Sequence, residues 1–408
     1  MDLRSSREDF PLLRGEEPPV YLDNACVTMR PDSVIGAVER YYTQTPACAG
    51  RSVHRLSTAV SREMARARHS LATFFNAESP SEIVFTRNAT HSLTQVAYGL
   101  ELEAGDVVLT TDREHNSNLV PWLQLERDRG IDHRVIPSHA DNTFDVEVFE
   151  EMCSQAGDRL AVVSLNHVGN LDGVSLPMKE ITSIAKDQGA LVCLDGAQSA
   201  PHMRIDVADL GIDFFACSIH KMLGPSGMGV LWGKEEALGK LQTIMPGGST
   251  VSEVTYTGMS YLDPPARFEG GLGNYAGIFG TTAAIEYLSR FEVDEIHQHE
   301  VALNRIITDG VRDLPGIEII GPEDAALRGG ITSMLSEQVD VHDLAMLLDE
   351  TASCMLRSGM HCVHSWFAAK GISSGSLRSS VYFYNTEEEV RTFVDSFSDI
   401  VNTLCAAG

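Results

Sequence analysis

The chain has 408 residues, 43% hydrophobic and 22% charged, the composition of a globular protein long enough for two domains. Its 57 acidic residues against 31 Lys and Arg leave a net charge of −26, which repels nucleic acid and anionic membrane and argues against both as partners. No stretch approaches the roughly 20 apolar residues that span a bilayer, and the N-terminus has no signal-peptide pattern, so the expected location is the cytoplasm.

After a polar start, Val20-Tyr21-Leu22-Asp23-Asn24 reads as a short strand and turn, and apolar spacing predicts helices over 31–42 and 57–75. Strands then alternate with helices. The strands are expected at 82–85, 107–110, 160–165, 190–194, 214–218 and 229–232, with helices at 90–100, 119–128 and 178–188. Such alternation means a mostly parallel sheet covered by helices on both faces. One long helical segment over 274–312 leads into a smaller α+β domain. That domain takes strands at 316–320, 331–334 and 377–382, a helix at 341–350 and a terminal helix over 386–405 capped by Thr386. The expected division is a large domain over 20–288 and a small one built from 1–19 and 289–408. Eight cysteines without CxxC pairs argue against a disulfide framework and a zinc site, so no metal is expected and most should be buried and reduced.

Ser218-Ile219-His220-Lys221 contains one of only six lysines. Upstream, the run Ala190-Leu191-Val192-Cys193-Leu194-Asp195 ends in an acid and continues as Gly196-Ala197-Gln198; downstream lies Gly224-Pro225-Ser226-Gly227-Met228-Gly229. A strand delivering a carboxylate, a second delivering a lysine and a glycine-rich turn behind it suit pyridoxal phosphate held as a Schiff base. Lys221 is then the amine, and Asp195 faces the pyridinium nitrogen and keeps it protonated. Ligands of open parallel sheets bind on the loops after the strands, and other unusual residues fall there. Thr86-Arg87-Asn88-Ala89-Thr90 opens a helix whose N–H groups, with the Thr90 hydroxyl, form a phosphate cradle, although Thr90 serves equally as a plain cap. His115 is placed to stack on the pyridine ring and shuttle protons. Asn170 and Gln198 are placed to hydrogen-bond the phenolic oxygen, and otherwise pass as turn residues.

These residues, in this order, resemble the fold-type I pyridoxal-phosphate enzymes. Within them they resemble the class V aminotransferase group, most closely its group II cysteine desulfurases and selenocysteine lyases. The resemblance runs from Tyr21-Leu22-Asp23-Asn24-Ala25 to Tyr384-Asn385-Thr386-Glu387 and includes Glu114-His115, Arg267-Phe268-Glu269-Gly270-Gly271 and Arg357-Ser358-Gly359-Met360-His361-Cys362. It implies a mostly parallel seven-stranded sheet in the large domain, a smaller α+β domain and a homodimer. Carried over by position, Lys221 resembles the Schiff-base lysine, His115 the stacking imidazole and Asp195 the pyridinium partner, with Asn170 and Gln198 on the phenolic oxygen. Ala89, Thr90, Ser218 and His220 resemble the phosphate ligands. Arg378, with Asn170 beside it, resembles the grip on the substrate carboxylate.

In the family, the cysteine after Arg-x-Gly-x-His takes sulfur from L-cysteine as a persulfide and leaves L-alanine. Here that residue is Cys362, with His361, His364 and the cation Arg357 close in sequence, the surroundings in which thiols are reactive. The implied activity supplies sulfur, through a sulfur-acceptor or scaffold protein, for iron–sulfur cluster assembly or a related pathway. The alternatives are a lyase acting on L-selenocysteine, and another class V aminotransferase or lyase in which Cys362 is incidental. A third is a cofactor-free scaffold, against which the intact Asp195, Lys221 and Arg378 argue. Gly271-Leu272-Gly273-Asn274 departs from the family's usual Gly-Thr-Pro-Asn and lacks the hydroxyl that reaches the neighbouring subunit's cofactor phosphate. His364-Ser365-Trp366-Phe367 is not the common continuation either.

Overall fold

A computed structural model describes residue 3 and residues 5–407. Two 3₁₀ turns (Ser5–Asp9, Pro11–Arg14) precede strand β1 (Val20–Tyr21) and helices α1 (Asp32–Gln44) and α2 (Arg55–Phe74). The alternating part follows as β2 (Ile83–Thr86), α3 (Ala89–Gly99), β3 (Val107–Thr111), α4 (Asn116–Arg129), β4 (Asp132–Ile136), α5 (Val146–Ala156) and β5 (Leu160–Asn166). It continues through α6 (Met178–Asp187), β6 (Leu191–Asp195), α7 (Val207–Leu210), β7 (Phe214–Ser218), β8 (Gly229–Gly233) and α8 (Glu235–Lys240). These strands form one seven-stranded sheet in the order β2-β8-β7-β6-β5-β3-β4, with β8 antiparallel to both neighbours and the other pairs parallel. Every residue of β2, β3, β7 and β8 is buried, which is why they read as continuous apolar runs rather than alternating ones.

An exposed hairpin, β9 (Val251–Val254) and β10 (Met259–Tyr261), comes next, then helices α9 (Tyr275–Leu288) and α10 (Val293–Val311). The remaining elements are β11 (Ile317–Ile320), β12 (Ile331–Ser336), α11 (Val341–Ala352), β13 (Cys354–Met355), β14 (Arg357–Gly359), α12 (His364–Lys370), β15 (Ser376–Ser380) and α13 (Glu387–Ala407). A second, antiparallel sheet runs β11-β12-β15-β14, and β13 pairs with β1.

Three differences from the sequence reading have physical causes. The segment expected as one helix over 274–312 is two, because Phe291 turns into the core against Tyr287 and Phe383, with ring centroids 5.6 and 5.1 Å away. Strand β4 has no apolar signature because it is an edge strand in which Ile136 alone is buried. Four of the eight free cysteines, Cys26, Cys48, Cys362 and Cys405, are half-buried rather than buried. At α13 the expected cap is present in reciprocal form: Glu389 N donates to Thr386 Oγ1 at 3.2 Å, and Thr386 N to Glu389 Oε2 at 2.9 Å.

Phe10 and Leu13 join the large core beside Tyr287, Phe383 and Tyr384, whereas Val20 and Leu22 join a smaller core with Leu303, Ile307, Phe393 and Phe397. Between the cores, the carboxyl ends of β6 and β7 and the start of α3 face β14 and β15 across a cleft. Among the described residues no helix is long and apolar enough to cross a membrane.

Candidate active site

The cleft has a cavity volume of about 200 Å³ and opens to solvent at its mouth. Cys362 and every residue expected to bind cofactor or substrate line it, although they come from segments between 89 and 378. At one end lies the start of α3. Its cap is Asn88, whose Oδ1 accepts from His91 N at 2.9 Å, so Thr90 is not the cap. The Thr90 hydroxyl instead meets Ser117 Oγ at 2.6 Å, and Ala89 N donates to Ser218 Oγ at 2.9 Å. A side chain at Gly229 would place its Cβ 2.4 Å from the Asn88 Cα, so only glycine lets β8 run against the helix start. His220 lies beside this end of the cleft, and burial, reinforced by Lys221 and Arg30, pulls its imidazole down to about 4, leaving it neutral at pH 7.

Asp195 ends β6, almost wholly buried, and its Oδ1 accepts from Ala197 N at 2.9 Å. Burial pushes its carboxyl up, while that N–H and the Lys221 cation oppose the rise. Lys221, in the turn after β7, has its amine pulled down to about 8 by burial, with Asp195 opposing and Arg378 and Arg357 adding to the fall. Gln198 Nε2 donates to the Ala25 carbonyl at 2.9 Å, and Asn170 Nδ2 to the His361 carbonyl at 2.7 Å. Each expected partner of the phenolic oxygen has therefore committed one N–H to the backbone and keeps a second.

His115 caps α4, its Nδ1 accepting from Ser117 N at 3.1 Å, which leaves its proton on Nε2 in the neutral form. Burial, then the charges of Lys221, Arg378 and Arg357, pull the imidazole down to about 3. Behind it, the fully buried Glu114 accepts from Thr111 Oγ1 at 2.6 Å, Asn118 Nδ2 at 2.8 Å and Asn166 N at 3.0 Å, and burial raises its carboxyl to about 7. The sequence reading named Glu114 only as His115's neighbour, since its partners on α4 and β5 meet only in the fold.

Arg378, on β15 and 2% exposed, donates from Nη1 to the Asn170 carbonyl at 2.8 Å and from Nη2 to Asp23 Oδ1 at 3.2 Å, while its Nε has no partner. Cys362 lies between β14 and α12, with His361 at φ 48° and Cys362 at φ 61°, two consecutive non-glycine residues in the left-handed region. Its carbonyl accepts from Asn116 N at 2.7 Å. The three groups expected to surround its sulfur are engaged elsewhere. Buried His361 bonds through Nε2 to Ser376 Oγ at 2.9 Å, and His364 Nδ1 lies 3.0 Å from Asn116 Nδ2. Arg357 Nη1 donates to the sulfur of Cys26 at 3.0 Å. Cys26, absent from the sequence expectations, lines the same cleft; nothing local distinguishes it, because Arg357 is 331 residues away.

The model of the aminotransferase class-V family matches residues 20–393, and the chain belongs to this family. A protein of Halalkalibacterium halodurans named "probable cysteine desulfurase" is 37% identical over 396 residues, covering 96% of each chain. The apo cysteine desulfurase of Thermococcus onnurineus superposes with a TM-score of 0.92 at 34% identity over 98% of each chain. The cysteine desulfurase CsdA of Escherichia coli, in an S-sulfonic acid form, does so with a TM-score of 0.91 at 29% identity over 99% of each chain. The residues present fit pyridoxal phosphate, on which the family depends: an anion cradle at a helix start, a buried carboxylate, an amine, and the unpartnered Gln198 Oε1 and Arg378 Nε share one cleft.

Proposed function

We propose that this enzyme is a pyridoxal-phosphate-dependent cysteine desulfurase that converts L-cysteine to L-alanine and carries the sulfur as a persulfide on Cys362. The observation that supports it most is the sharing of one cleft by the Lys221 amine, the Arg378 guanidinium and the Cys362 thiol. Ala89, Thr90, Ser218 and His220 would hold the cofactor's phosphate, Asp195 its ring nitrogen, and Asn170 and Gln198 its phenolic oxygen. When bound, pyridoxal phosphate supplies an electron sink for negative charge at the substrate Cα.

The chain's own groups do the rest. Arg378 offers Nε–H with a second Nη2 hydrogen as a fork for the substrate carboxylate, fixing the amino acid for reaction. Lys221 Nζ, lowered to about 8, moves the Cα proton. His115 would stack on the bound ring and presents Nε2–H; with Nδ1 committed to α4, it holds a proton rather than removing one. The Cys362 sulfur attacks the substrate sulfur. An S–S bond forms, the Cβ–S bond breaks with its electron pair going to carbon, and a proton completes the alanine methyl group.

The test is alanine release from L-cysteine by the cofactor-loaded protein with a thiol reductant, beside its Cys362→Ala variant. Alanine from the parent and a variant that keeps the yellow chromophore but forms no persulfide are expected. A Cys362→Ala enzyme that desulfurates at the parent rate would sink the assignment of Cys362.

The sulfur is destined for an acceptor or scaffold protein, in iron–sulfur cluster assembly or a related pathway. A homodimer accords with hairpin β9–β10, which leaves Val254, Tyr256 and Met259 exposed, with Leu272 exposed beyond it. The free thiols suit the reducing cytoplasm. For the division into 20–288 and a unit of 1–19 with 289–408, the packing of Phe10 and of Val20 argues for exchanging the short stretches 1–19 and 20–22.

A further inference from the structure

Two thiols, not one, face this cleft. Cys26 follows the turn Asp23-Asn24-Ala25, is half-buried, and is held by the Arg357 guanidinium 3.0 Å from its sulfur. It also lies close enough to Lys221 and Arg378 to interact with both charges. The seat that receives substrate adjoins it: Arg378, 2% exposed with Nε unpartnered, bonds to Asp23, three residues before Cys26. The residues that support the two thiols are themselves connected. Arg357, which holds Cys26, pairs with Arg378 across β14 and β15. Arg378 bonds the Asn170 carbonyl at 2.8 Å, and Asn170 bonds the carbonyl of His361, the residue before Cys362, at 2.7 Å. The remaining half-buried thiols, Cys48 and Cys405, do not line this cleft.

We propose that Cys26 is a second sulfur-carrying thiol, which takes the sulfane sulfur from Cys362. The step is a thiol exchange without net redox change. The Cys26 sulfur attacks the outer sulfur of the Cys362 persulfide and a new S–S bond forms at Cys26. The old S–S bond breaks, its electron pair leaves on the Cys362 sulfur, and the Cys26 proton passes to that sulfur. Cys362 is thereby free for another L-cysteine while the cleft still holds sulfur.

This rests on the desulfurase reading, so the experiment reads both. The cofactor-loaded protein is turned over with L-cysteine without reductant, trapped with an alkylating agent and mapped by peptide mass spectrometry, with alanine measured in the same sample. Sulfane sulfur is expected on the Cys26 peptide as well as on that of Cys362, and on neither in Cys362→Ala. Cys26→Ser should roughly halve the sulfane sulfur held per chain. Alanine with sulfane sulfur confined to Cys362 overturns the proposal and leaves the desulfurase reading standing. A Cys26–Cys362 disulfide in place of the Cys26 persulfide also overturns it, since the attack would then have fallen on the inner sulfur. No alanine at all would sink both.

Discussion

Lys221 and Cys362 face one cleft from two sheets that hold their residues in unlike ways. Around Lys221 strands β7 and β2 are buried throughout, Asp195 accepts from Ala197 N, and Ser218 accepts from the first N–H of α3, each at 2.9 Å. Around Cys362 the backbone passes through two left-handed residues, and its ties to the first sheet's loops are single bonds from Asn170 and Asn116. A cofactor needs a site that does not move, whereas a thiol that collects sulfur and hands it on needs a support that yields. The difference between the two sides accords with the division of work proposed for Lys221 and Cys362.

The comparison can be broken most directly on the lysine side. Lys221→Ala should lower alanine formation from L-cysteine by at least about 10²–10⁴-fold, the usual worth of a positioned proton-transfer group, while the fold survives. An activity loss below tenfold would remove Lys221 from its assigned role.

The stiffness of that side can be tested through the buried pair Arg113–Asp172, 2.7 Å apart and almost wholly out of solvent, which braces the loops after β3 and β5. Asp172→Ala removes the guanidinium's buried partner, leaving it only the half-exposed Asp112 at 3.5 Å, and should cost about 3–5 kcal/mol in urea denaturation. A loss within the range of ordinary surface substitutions would mean that the brace is dispensable.

Glu114 supplies a pH signature. Its folded carboxyl is raised to about 7 from an ordinary 4.5. Its contribution to stability is therefore complete below the unfolded value and is lost as pH rises through about 7. Glu114→Gln should flatten the fall in stability between those values; an unchanged profile would assign the slope to other groups.

The smallest effect sharpens the comparison at its seam. Asn170→Ala removes the bond to the His361 carbonyl and should slow persulfide formation about fivefold, on the order of 1 kcal/mol, measured in a single turnover. A change confined to the cofactor's absorption would place Asn170 with the lysine side instead.

The lysine side was largely legible in the sequence because its signals are local. A buried strand ending in Asp195, a lysine just beyond Ser218 and a helix opening at Ala89 are each contained within a few residues. The thiol side was legible only in part. Cys362 stood out beside its histidines, but those histidines and Arg357 turned to Ser376, Asn116 and Cys26. Strand β4 escaped because its first three residues are polar or charged and only Ile136 is buried, and the break between α9 and α10 because Phe291 packs against Tyr287 and Phe383.

By itself, then, the order of residues determined the parallel sheet and the cofactor chemistry and singled out the lysine and acid proposed to serve it, since periodicity and short motifs are properties of neighbours along the chain. The tertiary structure alone decided that Glu114 joins β5 to α4 behind His115 and that Arg357 holds Cys26. The physical reason is that burial and hydrogen-bond partners are set by groups far apart along the chain, Asn166 for Glu114 and Arg357 for Cys26, whose meeting no local pattern encodes.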